Sequence, residues 1–90
     1  MPTLTLPALM KYYVNDLSEV QITGSTVSQA INDLTSQYPA IKPHIIDDQG
    51  RLRRHVNLFI NKENINNLNG LDTSIEESDI IILMPSITGG

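Results

Sequence analysis

Polar and apolar residues alternate at two places near the start of the chain. Thr3-Leu4-Thr5-Leu6 puts Leu4 and Leu6 on one side, and Glu19-Val20-Gln21-Ile22-Thr23 does the same with Val20 and Ile22. A period of two is the mark of a half-buried strand. The two runs are read as antiparallel hairpin partners, with Pro7-Ala8-Leu9-Met10 breaking the first strand. After a turn at Gly24-Ser25 the period lengthens. Val27, Ala30, Ile31, Leu34 and Tyr38 form one helical stripe, entered through Thr26 and Gln29 as a capping box and stopped before Pro39. Residues Ile41 to Ile46 suggest a short extra turn, closed by Asp47-Asp48-Gln49-Gly50.

The second half returns to strands. Val56-Asn57-Leu58-Phe59-Ile60-Asn61 is expected as the third, a short fourth begins at Ile65, and Ile80-Ile81-Ile82-Leu83-Met84 is the last. The near-continuous apolar run of the last strand predicts a central, covered position. The pattern is α+β, with four to five strands packed on one main helix. Pleating divides the strand residues. If Val56, Leu58 and Ile60 meet the helix, Phe59 faces away, and Ile80, Ile82 and Met84 share a side opposite Ile81 and Leu83. One helix cannot cover both faces. An apolar patch of Phe59, Ile80, Ile82 and Met84 is therefore expected to meet a partner, unless the segment Ile41 to Ile46 folds over it.

Composition narrows the chemistry. Ninety residues, 40% apolar, support one domain with an aliphatic core. A net charge of −4 disfavours nucleic acid and anionic membranes. The absence of cysteine removes disulfides, thiolate metal sites and a thiol nucleophile. Met1-Pro2-Thr3-Leu4-Thr5 lacks the pattern of a secretory leader, so a cytoplasmic protein is expected. His44 and His55 have no companions at metal-ligand spacing, and Asp47-Asp48 belong to a turn. Arg51, Arg53, Arg54 and His55 form a small basic cluster, read first as a solvated edge and second as a contact for an acidic partner loop. Tyr12 and Tyr13 fit either a protein contact or packing. No catalytic constellation is expected, and no metal site.

The last strand runs into Pro85-Ser86-Ile87-Thr88-Gly89-Gly90. This arm is uncharged, and glycine without a Cβ lets the walls of a partner channel close on the backbone. Six extended residues reach about 20 Å, enough to enter a buried site while the body stays outside. A domain of residues 1–85 with a flexible Gly-Gly tail of residues 86–90 is the expected organisation.

The run Asp79 to Gly90 resembles the C-terminus of the MoaD/ThiS sulfur carriers, and Arg54-His55-Val56-Asn57-Leu58-Phe59-Ile60-Asn61 looks like the third strand of the CysO-type branch that serves cysteine biosynthesis. The resemblance covers essentially the whole chain. Two positions depart from it: Ser86 stands where many members have a second proline, and Ser78 where many have glycine. The resemblance implies a ubiquitin-like β-grasp fold with a mixed sheet. It implies a protein cosubstrate, not an enzyme, that binds no cofactor. An E1-like enzyme using ATP and Mg²⁺ would adenylate the carboxylate of Gly90, with Gly89, Thr88 and Ile87 threading its active site. A thiocarboxylate at Gly90 would then pass sulfur to a synthase. Cysteine biosynthesis is favoured as the destination and the small subunit of molybdopterin synthase is next. The alternatives are a modifier conjugated to lysine through Gly90 and a non-covalent β-grasp binding module. A monomer forming transient heterocomplexes is expected.

Overall fold

A computed structural model describes residues 1–85 of the chain. Five strands form one sheet in the order β2-β1-β5-β3-β4: β1 is Thr3–Thr5, β2 Glu19–Gln21, β3 Val56–Ile60, β4 Glu63–Asn64 and β5 Ile80–Pro85. β5 lies at the centre, as its apolar run predicts. It runs parallel to β1, with Leu4 opposite Ile81, and antiparallel to β3, with Leu58 opposite Leu83. The sheet is thus mixed, in agreement with the β-grasp expectation.

The main helix α1, Val27–Gln37, packs across one face. Its stripe of Val27, Ala30, Ile31 and Leu34 is buried, and Tyr38 packs against the same core. From the sheet come Leu4, Leu6, Val20, Ile22, Val56, Leu58, Ile60, Ile81 and Leu83, all buried. Thr26 caps α1, its Oγ1 accepting from the Gln29 backbone N–H at 3.2 Å. The reciprocal half of the capping box is displaced by one residue. Gln29 Oε1 accepts from the Ser25 N–H at 2.8 Å, instead of from Thr26. Gly24 makes this entry possible. It has φ +143°, and a Cβ there would sit 2.9 Å from both the Ala30 nitrogen and Gln29 Cβ.

The structure departs from the pattern in three connections. The break after β1 is a 3-10 helix, Ala8–Val14, that buries Met10 and Val14. It is nearly all apolar or aromatic, and it places those two residues on the core while Leu9 and Tyr12 face solvent. β1 and β2 are therefore antiparallel neighbours without a tight hairpin turn. The fourth strand consists of Glu63–Asn64, and Ile65, expected to begin it, instead opens a 3-10 turn capped by the Asn64 side chain, with its own side chain buried. Burial of one isoleucine outweighs its strand preference here. The segment Ile41 to Ile46 forms a 3-10 turn and the short helix α2, Lys42–Ile45, as expected, but Ile41 and Ile45 complete the core on the α1 side. They do not cover the other face of the sheet.

The start of β5 is fastened by Asn61, which adopts φ 57°. Its N–H donates to the Ile80 carbonyl at 2.7 Å, its Oδ1 accepts from the Ile80 N–H at 3.1 Å, and its Nδ2 donates to Asp79 Oδ1 at 3.2 Å. Asp79 Oδ2 accepts from the Glu76 N–H. Ser78, where a glycine is common in the family, is not among the described residues with positive φ, so serine fits there without backbone strain.

Candidate functional site

The outward face of the sheet carries the residues that α1 leaves uncovered. Pleating alternates β5 between buried Ile81 and Leu83 and outward Ile80, Ile82 and Met84. Phe59 lies directly across from Ile82, and Asn57 across from Met84. On the other flank Thr3 and Thr5 face Ile80 and Ile82. Phe59 and Ile82 are half-buried as a cross-strand pair, while Ile80 and Met84 are each 46% exposed. A closely spaced aromatic–aliphatic pair stabilises the strand pairing itself. Among the described residues, the Ile80 and Met84 side chains, opposite Thr3 and Asn57, are left open to solvent. All four residues expected on a partner face thus share one side of the sheet.

β5 runs from the end fastened by Asn61 toward Pro85, which pairs with Val56 at the start of β3. The chain continues from this point into residues 86–90. The tail positions Ile87, Thr88, Gly89 and Gly90, and the departure at Ser86, lie outside the described residues.

Around the same end of the sheet lies the basic cluster. β3 is antiparallel to β5, so Arg54 and His55, just before Val56, flank the position where β5 ends at Pro85. An open cleft of ≈420 Å³ is lined by Asp47, Arg51, Arg53, Arg54 and His55. Arg53 donates through Nε to the Pro43 carbonyl and is half-buried, whereas Arg51, Arg54 and His55 are exposed. Asp47 organises the turn, its Oδ1 accepting from the N–H groups of Gln49 and Arg51. These bonds, led by Arg51, hold its carboxyl below the usual carboxylate range, helped by the charges of Arg51 and Arg53. Asp47 is a turn residue, as its sequence context suggests.

The two tyrosines have different positions. Tyr13 packs against the core and stacks on His44, with ring centroids 4.2 Å apart, while Tyr12 is 78% exposed beside it. No sequence motif signals that stack, which joins the 3-10 helix to α2 across about 30 residues of chain. Among the described residues no group of His, Cys, Asp or Glu is arranged to hold a metal ion, and no helix is long and apolar enough to cross a membrane.

Comparison with known proteins adds a match that spans this geometry. The sequence model of the ThiS family aligns with residues 4–90, from β1 through the final glycine. The chain belongs to the ThiS family. Among curated relatives, sulfur carrier protein CysO of Mycobacterium tuberculosis is 29% identical over 90 residues, covering 98% of this chain and 97% of CysO. The crystal structure of CysO from that organism superposes with a TM-score of 0.90 at 27% identity, over 97% of this chain and 100% of CysO. The small archaeal modifier protein 1 of Methanosarcina acetivorans superposes with a TM-score of 0.86 at 30% identity, over 99% of this chain and 95% of the modifier. These neighbours bear out the ubiquitin-like β-grasp expectation. This ThiS-family chain is CysO-like, and the role that goes with the likeness is that of a sulfur carrier, a cargo-bearing protein and not a catalyst.

Proposed function

We propose that this chain carries sulfur on its C-terminal carbonyl, as a thiocarboxylate of Gly90. The observation that carries the reading is the extent of the family match, which runs through the tail to residue 90 in a chain that is CysO-like over nearly its whole length. The fold suits the task. The central strand ends at Pro85 and carries an apolar face that α1 leaves open.

The chemistry follows from the carboxylate. Oxygen is a poor leaving group from a carboxylate, so the acid must first be activated. In the active site of an E1-like partner, a Gly90 carboxylate oxygen attacks the α-phosphorus of ATP, with Mg²⁺ screening the phosphates. Pyrophosphate leaves and an acyl-adenylate forms. Hydrosulfide, the sulfide-level form of the donor's sulfur, then attacks the Gly90 carbonyl carbon, AMP departs with the bonding electrons, and loss of the S–H proton leaves a thiocarboxylate. The chain has no thiol of its own, so the sulfur is held on the backbone terminus. Phe59, Ile80, Ile82 and Met84 supply the contact with the activating enzyme, offsetting the entropy lost when Ile87, Thr88, Gly89 and Gly90 thread its channel. A sulfur-accepting synthase takes the cargo. The CysO likeness favours a cysteine-forming pathway over molybdopterin synthesis.

The test is intact-mass analysis after incubation with the adenylating enzyme, ATP and a sulfur donor. The full chain gains the oxygen-to-sulfur mass difference, and a chain lacking Gly89 and Gly90 does not. Absence of any acyl-adenylate on the full chain would overturn the proposal. A second reading is supported by the likeness to the archaeal modifier: an isopeptide from Gly90 to a lysine of another protein. Activation is the same in both, and lysine adducts recovered from native cells would separate them. A non-covalent binding module would keep its function without Gly90.

A further inference from the structure

Eight asparagines stand in the chain, and Asn69 is the one followed by glycine. The pairing is chemically labile, because a glycine nitrogen has no Cβ beside it to hinder attack on the neighbouring amide. Asn69 is exposed, and its side chain makes no capping bond to the 3-10 turn Gly70–Asp72 that it precedes. Asn61 and Asn64, by contrast, have their carboxamides tied to nearby chain. The backbone around Asn69 is held closed. Its N–H donates to Thr73 Oγ1 at 2.9 Å, and its carbonyl accepts from the Asp72 N–H at 3.1 Å. Gly70 has φ 59°, and its carbonyl accepts from the Thr73 N–H at 3.1 Å. These bonds keep Asn69 at ψ 24°. In an L-residue that angle turns the following nitrogen away from Cβ, so the Gly70 nitrogen cannot reach Asn69 Cγ until the turn opens. Thr73 also ties the turn to the main helix. It is buried, and its carbonyl accepts from the N–H of Val27, the first residue of α1, at 3.0 Å.

We propose that Asn69–Gly70 is a modification site, deamidated through a succinimide when the turn closed by the Thr73 hydroxyl opens. The site does not depend on the reading of Gly90. The Gly70 nitrogen gives its proton to water and attacks Asn69 Cγ. The side-chain nitrogen departs with the bonding electrons, takes up a proton and leaves as ammonia. Water then adds to one of the two imide carbonyls. Cleavage of the bond from Cγ to the Gly70 nitrogen gives aspartate, and cleavage of the bond from the main-chain carbonyl to that nitrogen gives isoaspartate. Aspartate leaves the path of the backbone unchanged. Isoaspartate lengthens the main chain by one methylene at the residue that pairs with Thr73. The turn then cannot reclose in register, and the acceptor that Thr73 offers to α1 is displaced. Opening of this turn is a local event, and its free energy sets how fast the folded protein ages.

The experiment ages the full chain in native buffer and in urea, and follows Asn69 by peptide mapping, by the amide-to-acid mass difference and by enzymatic methylation of isoaspartate. Wild type should react at Asn69 in both, at least about 10-fold more slowly in buffer, because each event waits on opening. Asn69→Gln should abolish the signal. Thr73→Val removes the acceptor and should speed the reaction in buffer about 5-fold, with the rate in urea unchanged. Thr73→Ser keeps the hydroxyl and should stay within about twofold of wild type. Ile81→Val loosens the buried centre of β5, outside the turn, and should also stay within about twofold. Thr73→Ala provides an independent variant if Thr73→Val lowers the urea midpoint more than Ile81→Val does. Aged chain carrying isoaspartate should unfold at lower urea than Asn69→Asp, and equal midpoints would remove the consequence drawn for α1. No reaction at Asn69 in urea would overturn the site itself. Equal wild-type rates in buffer and urea, an unchanged rate in Thr73→Val, or a faster reaction in Ile81→Val than in Thr73→Val would overturn the guarding turn.

Discussion

Leu83 and Met84 are adjacent on β5 and point to opposite faces, which permits a direct test of how stability and partner binding are divided. Leu83 is 1% exposed against α1, whereas Met84 is 46% exposed on the outward face. Leu83→Ala removes core volume and should cost about 3 kcal/mol. A chain of 90 residues has a total stability of roughly 5–13 kcal/mol, so most molecules remain folded. Met84→Glu should change stability by less than about 1 kcal/mol, because the new carboxylate stays in water on the free protein. Binding is another matter. Burying a whole methionine contributes about 1.5–3 kcal/mol, so the half still open on Met84 contributes about 1 kcal/mol when a partner covers it. Desolvating a glutamate in the same place costs at least about 1 kcal/mol more. The sum of about 2 kcal/mol corresponds to a rise of about 30-fold in KM for adenylation. Urea unfolding and steady-state ATP–pyrophosphate exchange, run on both variants, give the two numbers. Leu83→Ala should lower the urea midpoint and leave KM per folded molecule within twofold. Met84→Glu should do the opposite. If Met84→Glu is adenylated with wild-type KM, the outward face is not where the activating enzyme binds.

Three further predictions concern the framework. Thr26→Ala removes the side-chain cap of α1 and should lower stability by about 1 kcal/mol, seen as a lower urea midpoint at unchanged slope. Gly24→Ala forces a Cβ to 2.9 Å from the backbone of α1 at φ +143° and should cost about 1–3 kcal/mol; an unchanged midpoint would show that the turn can relax. The Asp47 carboxyl is held below its ordinary value by the N–H groups of Arg51 and Gln49 and the nearby arginine charges. Its contribution is therefore present above the unfolded-state pKa and is lost as pH falls through the lower folded-state value. The stability advantage of wild type over Asp47→Asn should shrink steadily on acidification, and a constant difference across that range would rule this origin out.

Much of the architecture is written in short-range pattern. The alternation at Leu4, Val20, Leu58 and Ile81 identifies four strands and their inward faces, and the stripe from Val27 to Leu34 identifies the helix. The four outward residues follow from the same pleat, because a shift of one residue exchanges faces. What the pattern does not reveal is set by contacts distant in sequence. Ile65 looks like the start of a strand, but the core recruits it from a 3-10 turn. The run Ala8–Val14 follows Pro7 and holds two adjacent tyrosines, with no clean period. Its form depends on Met10 and Val14 closing the core and on Tyr13 meeting His44. Asn61 reads as a turn residue, and its bonds to Asp79 and Ile80 become visible only once β3 and β5 are neighbours. The basic cluster is evident in the sequence, but its place beside the end of β5 is a consequence of the antiparallel register.

The topology also explains why a reactive terminus would be mounted on this strand. A strand paired on both sides cannot fray without breaking two ladders, so the most secure attachment in a sheet is its centre. β5 occupies that centre, with β1 holding Ile80 to Ile82 and β3 holding Ile81 to Pro85. Its first residue is fixed by Asn61, and alternate residues are locked under α1. The strand is therefore anchored along its length while its other side chains remain available on the outward face. Such an arrangement fixes where Pro85, the last residue of β5, stands relative to that face. An arm on an edge strand would have one ladder and no fixed bearing, and more of the binding energy would go into orienting it. On the proposed sulfur-carrier function, the parallel β1–β5 pairing, and not the Gly-Gly sequence alone, would make the terminus deliverable.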